Sequence, residues 1–434
     1  MNYIPNILFA VALIIGIGYF AKNVKKLIRN IKLGHDVDVS DNISQRWKNM
    51  AMIALGQSKM VKRPIAGFLH IIVYVGFIII NIEVLEIIID GLAGTHRIFS
   101  SIGPLYGVLI GAFEVLALLV FVSVIVFWIR RNIVKIKRFW AKEMTSWPKN
   151  DANYILYIEM VLMLLFLVMN ATDLQFQAMN NGNVISQFIA PLFSGLSENA
   201  IHIVERTAWW LHILGILGFL NYLYFSKHLH ILLAFPNTYY GKVKPKGELD
   251  NLESVTNEVK MMMDPNIDPF AAQPESTEAP AKFGASDVQD LNWVQLLNAY
   301  TCTECGRCTS ECPANQTGKK LSPRKIMMDT RDRLEEVGKN IDANNGTFKE
   351  DGKQLLDNYI TREELWACTT CNACVEACPV SIDPLSIIME MRRYLVMEQS
   401  AAPMELNTMM TNVENNGAPW PYNQMDRLNW KNEA

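Results

Sequence analysis

Five apolar runs in the first half of this 434-residue chain leave little choice of architecture. They occupy roughly Ile4 to Phe20, Ile65 to Ile89, Leu105 to Ile129, Ile155 to Met169 and Ala208 to Phe225. A bilayer core is about 30 Å thick and a helix crosses it in about 20 residues. Backbone polar groups in that medium must be satisfied within the segment itself, so such runs predict helices. The expected fold class is all-α, beginning with a bundle of five transmembrane helices.

The flanking charges give the bundle a direction. Lys22, Lys25, Lys26, Arg29 and Lys32 follow the first run, the reverse of a signal peptide, so that run reads as a retained anchor with its N-terminus outside. Residues 22–64 and 130–149 are crowded with Lys and Arg, whereas 90–104 and 173–206 contain only Arg97 and Arg206. Positive charge stays on the cytoplasmic side. The chain is therefore expected to emerge into the cytoplasm at His228, in a bacterial-type inner membrane. A net charge of -3 gives no basis for a nucleic-acid partner.

The second half carries the chemistry. Cys302, Cys305, Cys308 and Cys312-Pro313 form one run, and Cys368, Cys371, Cys374 and Cys378-Pro379 repeat its spacing, using all 8 cysteines of the chain. C-x₂-C-x₂-C-x₃-C-P is the ferredoxin spacing, in which three close thiolates hold a cubane and the fourth reaches the neighbouring cluster. Structural zinc prefers two separated pairs and has no use for the third Cys or the closing Cys-Pro. Two 4Fe-4S clusters follow, one on Cys302, Cys305, Cys308 and Cys378, the other on Cys368, Cys371, Cys374 and Cys312.

Of the 7 histidines, His202, His212, His228 and His230 lie in or around the fifth run. On a continuous helix His212 and His230 share one face ~27 Å apart, and His228 points to nearly the opposite side. His70 lies about one turn inside the second run, at the depth of His230. Two imidazoles at one depth on facing helices are what bis-His ligation of a b-type haem needs, and intramembrane polar groups are costly enough to imply a function. His212 has no such partner on the second run; with His96 it either holds a second haem or lines a quinone pocket. Glu83, Glu86 and Glu114 also fall in apolar runs; Glu83 and Glu86, toward the outer end, either serve quinol protons or pair with Arg97 or cap polar backbone.

Four regions are expected: a membrane haem domain over 1–240, a flexible linker over 241–286, an α-helical ferredoxin domain over 287–400 and a partner-docking tail over 401–434. Asp264 to Ala285, rich in Pro, Ala and Glu, reads as an extended tether. Ser322-Pro323 and Asp383-Pro384 read as helix starts. Helical insertions of this size favour an all-α cluster domain over a compact βαββαβ frame.

The motifs Ala66-Gly-Phe-Leu-His70 running into Val75-Gly-Phe77, and Trp209-Trp-Leu-His212 running on to Ser226-Lys-His-Leu-His230, resemble the five-span cytochrome b subunit of respiratory nitrate reductases and membrane heterodisulfide reductases. Thr301-Cys-Thr-Glu-Cys-Gly-Arg-Cys308 resembles the iron-sulfur subunit of heterodisulfide reductases. The resemblance implies that His70 and His230 form the haem pair nearest the clusters and that His212 is a ligand of an outer haem. The position that would complete that outer haem is Ile80. Related fused proteins continue into CCG domains, whereas this sequence ends at Ala434, so the resemblance implies a separate substrate-side subunit.

The expected function is an electron-transfer subunit linking the quinone pool, haem b and two clusters to a cytoplasmic CCG-domain or flavoprotein partner. No nucleotide-binding Gly motif or nucleophile constellation is present, so no catalytic residues are assigned. A quinone reductase fed directly by an electron-transfer flavoprotein and a membrane redox sensor are the alternatives.

Overall fold

The computed structural model describes residues 3–265 and 282–432. Residues 266–281 of the expected tether, and 433 and 434 of the expected tail, lie outside the described residues. The protein is 72% helical with no strand among the described residues, as the apolar runs and helix starts require.

Five helices are long and apolar enough to cross a membrane: Ile4–Ile31, Pro64–Ala93, Pro104–Asn132, Trp147–Thr172 and Glu198–Phe225. Proline stands in the first two positions of the first four, where its missing N–H costs nothing. Ser197 caps the fifth by accepting from the Ala200 amide. Each helix packs against two neighbours, in the cyclic order first, second, third, fourth, fifth and back to the first. Phe113, Phe166, Ile110 and Ile213 fill the centre.

The first helix outruns its apolar stretch by 11 residues (Phe20 to Ile31), about 16 Å, and becomes a post. The cysteine-bearing half is fastened to it: Lys26 and Arg29 pair with Asp342, and the Asn30 amide donates to the Tyr300 hydroxyl at 2.9 Å. Leu27, Leu223 and Leu229 belong to the same apolar core as Leu296, Ile326, Leu334 and Ile387. The two halves thus share a hydrophobic core and do not meet through the tether alone.

Ser322 and Asp383 cap the helices Pro323–Ala343 and Pro384–Arg393, where sequence placed them. Within the expected linker region, ahead of the expected tether, Glu253–Met263 is helical.

The fifth helix departs from expectation in a way that matters for the site. It ends at Tyr222, passes through one 3₁₀ turn, Leu223–Phe225, breaks at Ser226 and restarts through a second, Lys227–Leu229, into His230–Tyr240. Ser226 is extended (φ -120°, ψ 156°) and its hydroxyl accepts from the His228 amide. The Asp151 carboxylate takes the Lys227 amide at 3.1 Å. Side-chain caps therefore replace the intrahelical ladder here. The continuous-helix reading of His212, His228 and His230 is corrected accordingly.

The break frees Lys227 to reach Glu304, between Cys302 and Cys305, with both side chains buried. Arg331 pairs with the same carboxylate at 2.9 Å. Burial pushes the Glu304 carboxyl up, but Lys227 and Arg331 more than reverse this and hold it below the usual glutamate value. Removing one member of a buried pair strands a charge. Lys227→Met is expected to destabilise the protein by about 3 kcal/mol, read as a lowered urea midpoint in detergent. Lys246→Met, at an exposed pair with Glu376, should leave the midpoint unchanged.

Candidate redox centre

The two cysteine runs fold by one local rule. Cys302 leaves the helix Trp293–Thr301 in an extended conformation, and positive φ at Glu304 and Gly306 curls the chain around Cys305. Cys308 lies on the short helix Arg307–Glu311, and Cys312 ends it in extended geometry before Pro313. In the second run Thr370 and Asn372 take positive φ at the same offsets, Cys374 lies on Ala373–Ala377, and Cys378 ends it. Gly306 is needed for space as well as for φ, because a Cβ there would lie 2.5 Å from Arg324 Nη1.

This folding brings the sulfurs together across the runs. Cys302, Cys305, Cys308 and Cys378 line one cavity, which Cys374 also borders. Burial, then the neighbouring Cys305, Cys302 and Cys378, pushes the Cys308 thiol well above its usual value. Cys368 is raised by burial and has Cys312 and Cys371 as its sulfur neighbours. Burial likewise pushes Cys302 and Cys374 up to about 12 and Cys378 to about 11. Such sulfurs surrender their protons to a metal, not to solvent. Among the described residues no three His, Cys, Asp or Glu groups converge as ligands of a single ion. Cys302, Cys305, Cys308 and Cys378 instead border one cavity, and four thiolates are the donor set that a 4Fe-4S cluster takes, so the residues fit the group. Cys371 alone of the eight is exposed.

Next to this region the His70 and His230 rings face each other, centroids 6.4 Å apart and tilted by 41°. A metal–imidazole bond of about 2 Å on each side, with about 1 Å from ring nitrogen to ring centre, puts two axial imidazoles about 6 Å apart. His230 Nδ1 donates to the Lys227 carbonyl at 3.1 Å, which leaves Nε2 for coordination. Burial lowers the His230 value, against the pull of that bond, and keeps the ring neutral as ligation requires. His70 Nδ1 is buried and has no hydrogen-bond partner among the described residues. The pair therefore fits one metal between two rings. His228, expected on the far side, is instead 5.5 Å from His230 by ring centroid, with Nε2 3.7 Å from Glu159 Oε1.

The comparisons with known proteins bear on this arrangement. Residues 301–382 match the 4Fe-4S dicluster domain family. The chain is 29% identical to the "Probable iron-sulfur-binding oxidoreductase FadF" of Bacillus subtilis, over 99% of this chain and 61% of that protein. It is 25% identical to the "EtfAB:quinone oxidoreductase" of Syntrophomonas wolfei, over 92% of this chain and 55% of that protein. A "Probable membrane-anchored ferredoxin" of Chromohalobacter salexigens is 32% identical over 35% of this chain and 25% of its own length. The chain thus spans less than two thirds of each of these relatives. Heterodisulfide reductase subunits C and D are also homologous to it. No solved structure matches the chain. The chain is therefore homologous to iron-sulfur oxidoreductases and carries a dicluster domain, and its five apolar helices together with a membrane-anchored relative support a membrane location.

The dicluster domain holds its first run against the second candidate span. Arg307 donates to the Lys59 and Met60 carbonyls at 3.2 and 3.4 Å, just before that span begins at Pro64. Arg63 donates to the Ser310 hydroxyl at 3.0 Å. His70, six residues into the span, lies about 9 Å along it.

His212 and His96 have separate surroundings. His212 donates from Nδ1 to the Leu162 carbonyl at 3.0 Å, and its buried Nε2 has no partner among the described residues. His96 Nε2 lies 3.1 Å from Asp173, which also pairs with Arg97 at 2.8 Å. His96 lines a cavity at the far end of the bundle that His212 does not line. Sequence reasoning missed Lys227, Glu304 and Glu159; only Glu159 had a signal, an acid inside the fourth apolar run.

Shared ligation across the runs is separable by iron counting. Wild type should hold about eight cluster irons. Cys302→Ser and Cys378→Ser should each leave about four. Their double variant should also leave about four if both serve one cluster, and close to none if they serve different ones.

Proposed function

We propose that the protein is a membrane electron-transfer unit that passes electrons between the quinone pool and a cytoplasmic partner through haem b and two 4Fe-4S clusters. The observation that carries this reading is the His70–His230 pair, spaced for two axial ligands and placed beside the docked dicluster domain. A haem there would supply one-electron exchange at the membrane end. The chain's own residues do the positioning: Lys227 orients the His230 ring through its carbonyl and fixes the first cysteine run through its ammonium. Cys302, Cys305, Cys308 and Cys378 would hold the cluster nearer the histidines, and Cys368, Cys371, Cys374 and Cys312 the cluster nearer the surface, where Cys371 is exposed.

Quinone enters the reading through the relative named for quinone oxidoreduction. The same name favours an electron-transferring flavoprotein as the soluble partner, with a CCG-domain subunit as the second choice. Met404, Trp420, Tyr422, Met425 and Trp430, all exposed in the tail, suit a partner-docking segment. The charge pattern supports a reading in which the dicluster domain faces the cytoplasm from a bacterial-type inner membrane.

Reduced-minus-oxidised spectra of the purified protein should show a b-type α-band that His70→Ala and His230→Ala each abolish, while cluster iron stays near eight per chain. A band unchanged in both variants would remove this ligand pair.

A further inference from the structure

At the end of the bundle remote from the dicluster domain, a cavity of about 340 Å³ lies between the first, second and fifth candidate spans. Its apolar wall is Phe9, Ile87, Met169, Trp209 and Trp210. The Phe9 ring lies 5.3 Å from that of Trp209, tilted by 45°, and 5.9 Å from that of Trp210, edge-on at 71°, so this wall is aromatic. Its polar wall includes Glu83, Glu86 and Asp90, at positions i, i+3 and i+7 of one helix face.

Nearly every charged group around this cavity is already engaged. Glu86 accepts from the Phe99 amide at 2.9 Å and the Tyr106 hydroxyl at 3.1 Å. Asp90 accepts from the Arg97 amide at 2.6 Å, and Asp173 holds Arg97 and His96. Glu205 pairs with Arg206. Glu114, on the third span, takes the Ile185 and Ser186 amides. Glu83 is the exception: it is 2% exposed, lines the cavity, and its Oε2 has no hydrogen-bond partner among the described residues. It lies ten residues short of Ala93, about 15 Å below the end of the span.

A buried, unpartnered carboxylate seeks a hydrogen-bond donor. Five acids face only Arg97 and Arg206 here, and both guanidiniums are paired, so the cavity disfavours an anion. What remains is a neutral, flat, membrane-soluble ring carrying a hydroxyl. We propose that this cavity binds the head group of a membrane hydroquinone, with Glu83 accepting a hydrogen bond from one hydroxyl and then its proton.

This rests on the quinone reading above and gives it a site and a side. Oxidation of the hydroquinone breaks two O–H bonds and yields the quinone, two electrons and two protons. The electrons pass singly to the haem and clusters proposed above. The first proton goes to Glu83 and leaves along the Glu86 and Asp90 face, and the second follows once Glu83 has emptied. Protons therefore exchange on the side away from the dicluster domain; quinone reduction runs the same steps backwards.

The test uses the full chain in lipid nanodiscs with a short-chain naphthoquinone as probe. Two readouts are taken: quenching of Trp209 and Trp210 fluorescence, and single-turnover reoxidation of dithionite-reduced clusters. Wild type should quench saturably and reoxidise. Glu83→Leu should weaken binding by about tenfold or more. Glu83→Gln, isosteric and still able to accept a hydrogen bond, should bind within about threefold of wild type yet reoxidise about tenfold or more slowly. Wild-type binding and turnover in both variants would overturn the site while leaving the quinone reading intact. A wild-type protein that neither quenches nor reoxidises would overturn the quinone reading and the site with it.

Discussion

The buried contact between Lys227 and Glu304 is the joint on which the arrangement turns. One residue touches both the histidine pair and the first cysteine run: its carbonyl accepts from His230, and its ammonium meets the carboxylate inside the first CxxC turn. A buried charge pair of this kind adds little net stability over an apolar replacement, but it fixes register, because any displacement leaves a charge unpaired. Arg331 on the same carboxylate and Asp151 beside Lys227 make the position still less negotiable.

Around that joint, docking follows from helices that do not stop at the membrane. The first helix continues as a charged post, and Leu27, Leu223 and Leu229 extend the bundle's end into the dicluster core. Arg324, fully buried, reaches Glu143 and the Arg138 carbonyl at 2.6 Å each, on the loop between the third and fourth spans. A tether would let the two redox regions meet intermittently. A shared core holds them together, and electron transfer through fixed cofactors depends on such positioning.

The sequence made most of the architecture legible, because lipid and cluster chemistry both impose spacing. Apolar length marked all five helices, and Cys spacing marked the dicluster domain. Ser322 and Asp383 marked their helices through their caps. What stayed hidden depends on tertiary partners. The break at Ser226 needs Asp151 from the fourth helix to take the Lys227 amide, so periodicity carried straight through it and put His228 on the wrong side. Nothing in the CxxC spacing singles out Glu304, and only its buried contacts with Lys227 and Arg331 reveal its role. His96, read with His212 as holding a second haem or lining a quinone pocket, lies 3.1 Å from Asp173 and borders the cavity at the far end of the bundle.

The central claim is that the histidine pair and the cysteine runs form one conducting body. Stopped-flow mixing of the fully reduced protein with a water-soluble quinone, followed at the haem α-band and the broad cluster absorbance together, tests it most directly. The account predicts that both signals bleach in the same single turnover and that Lys227→Met slows the cluster phase. Haem oxidation with clusters left reduced over the same interval would contradict it.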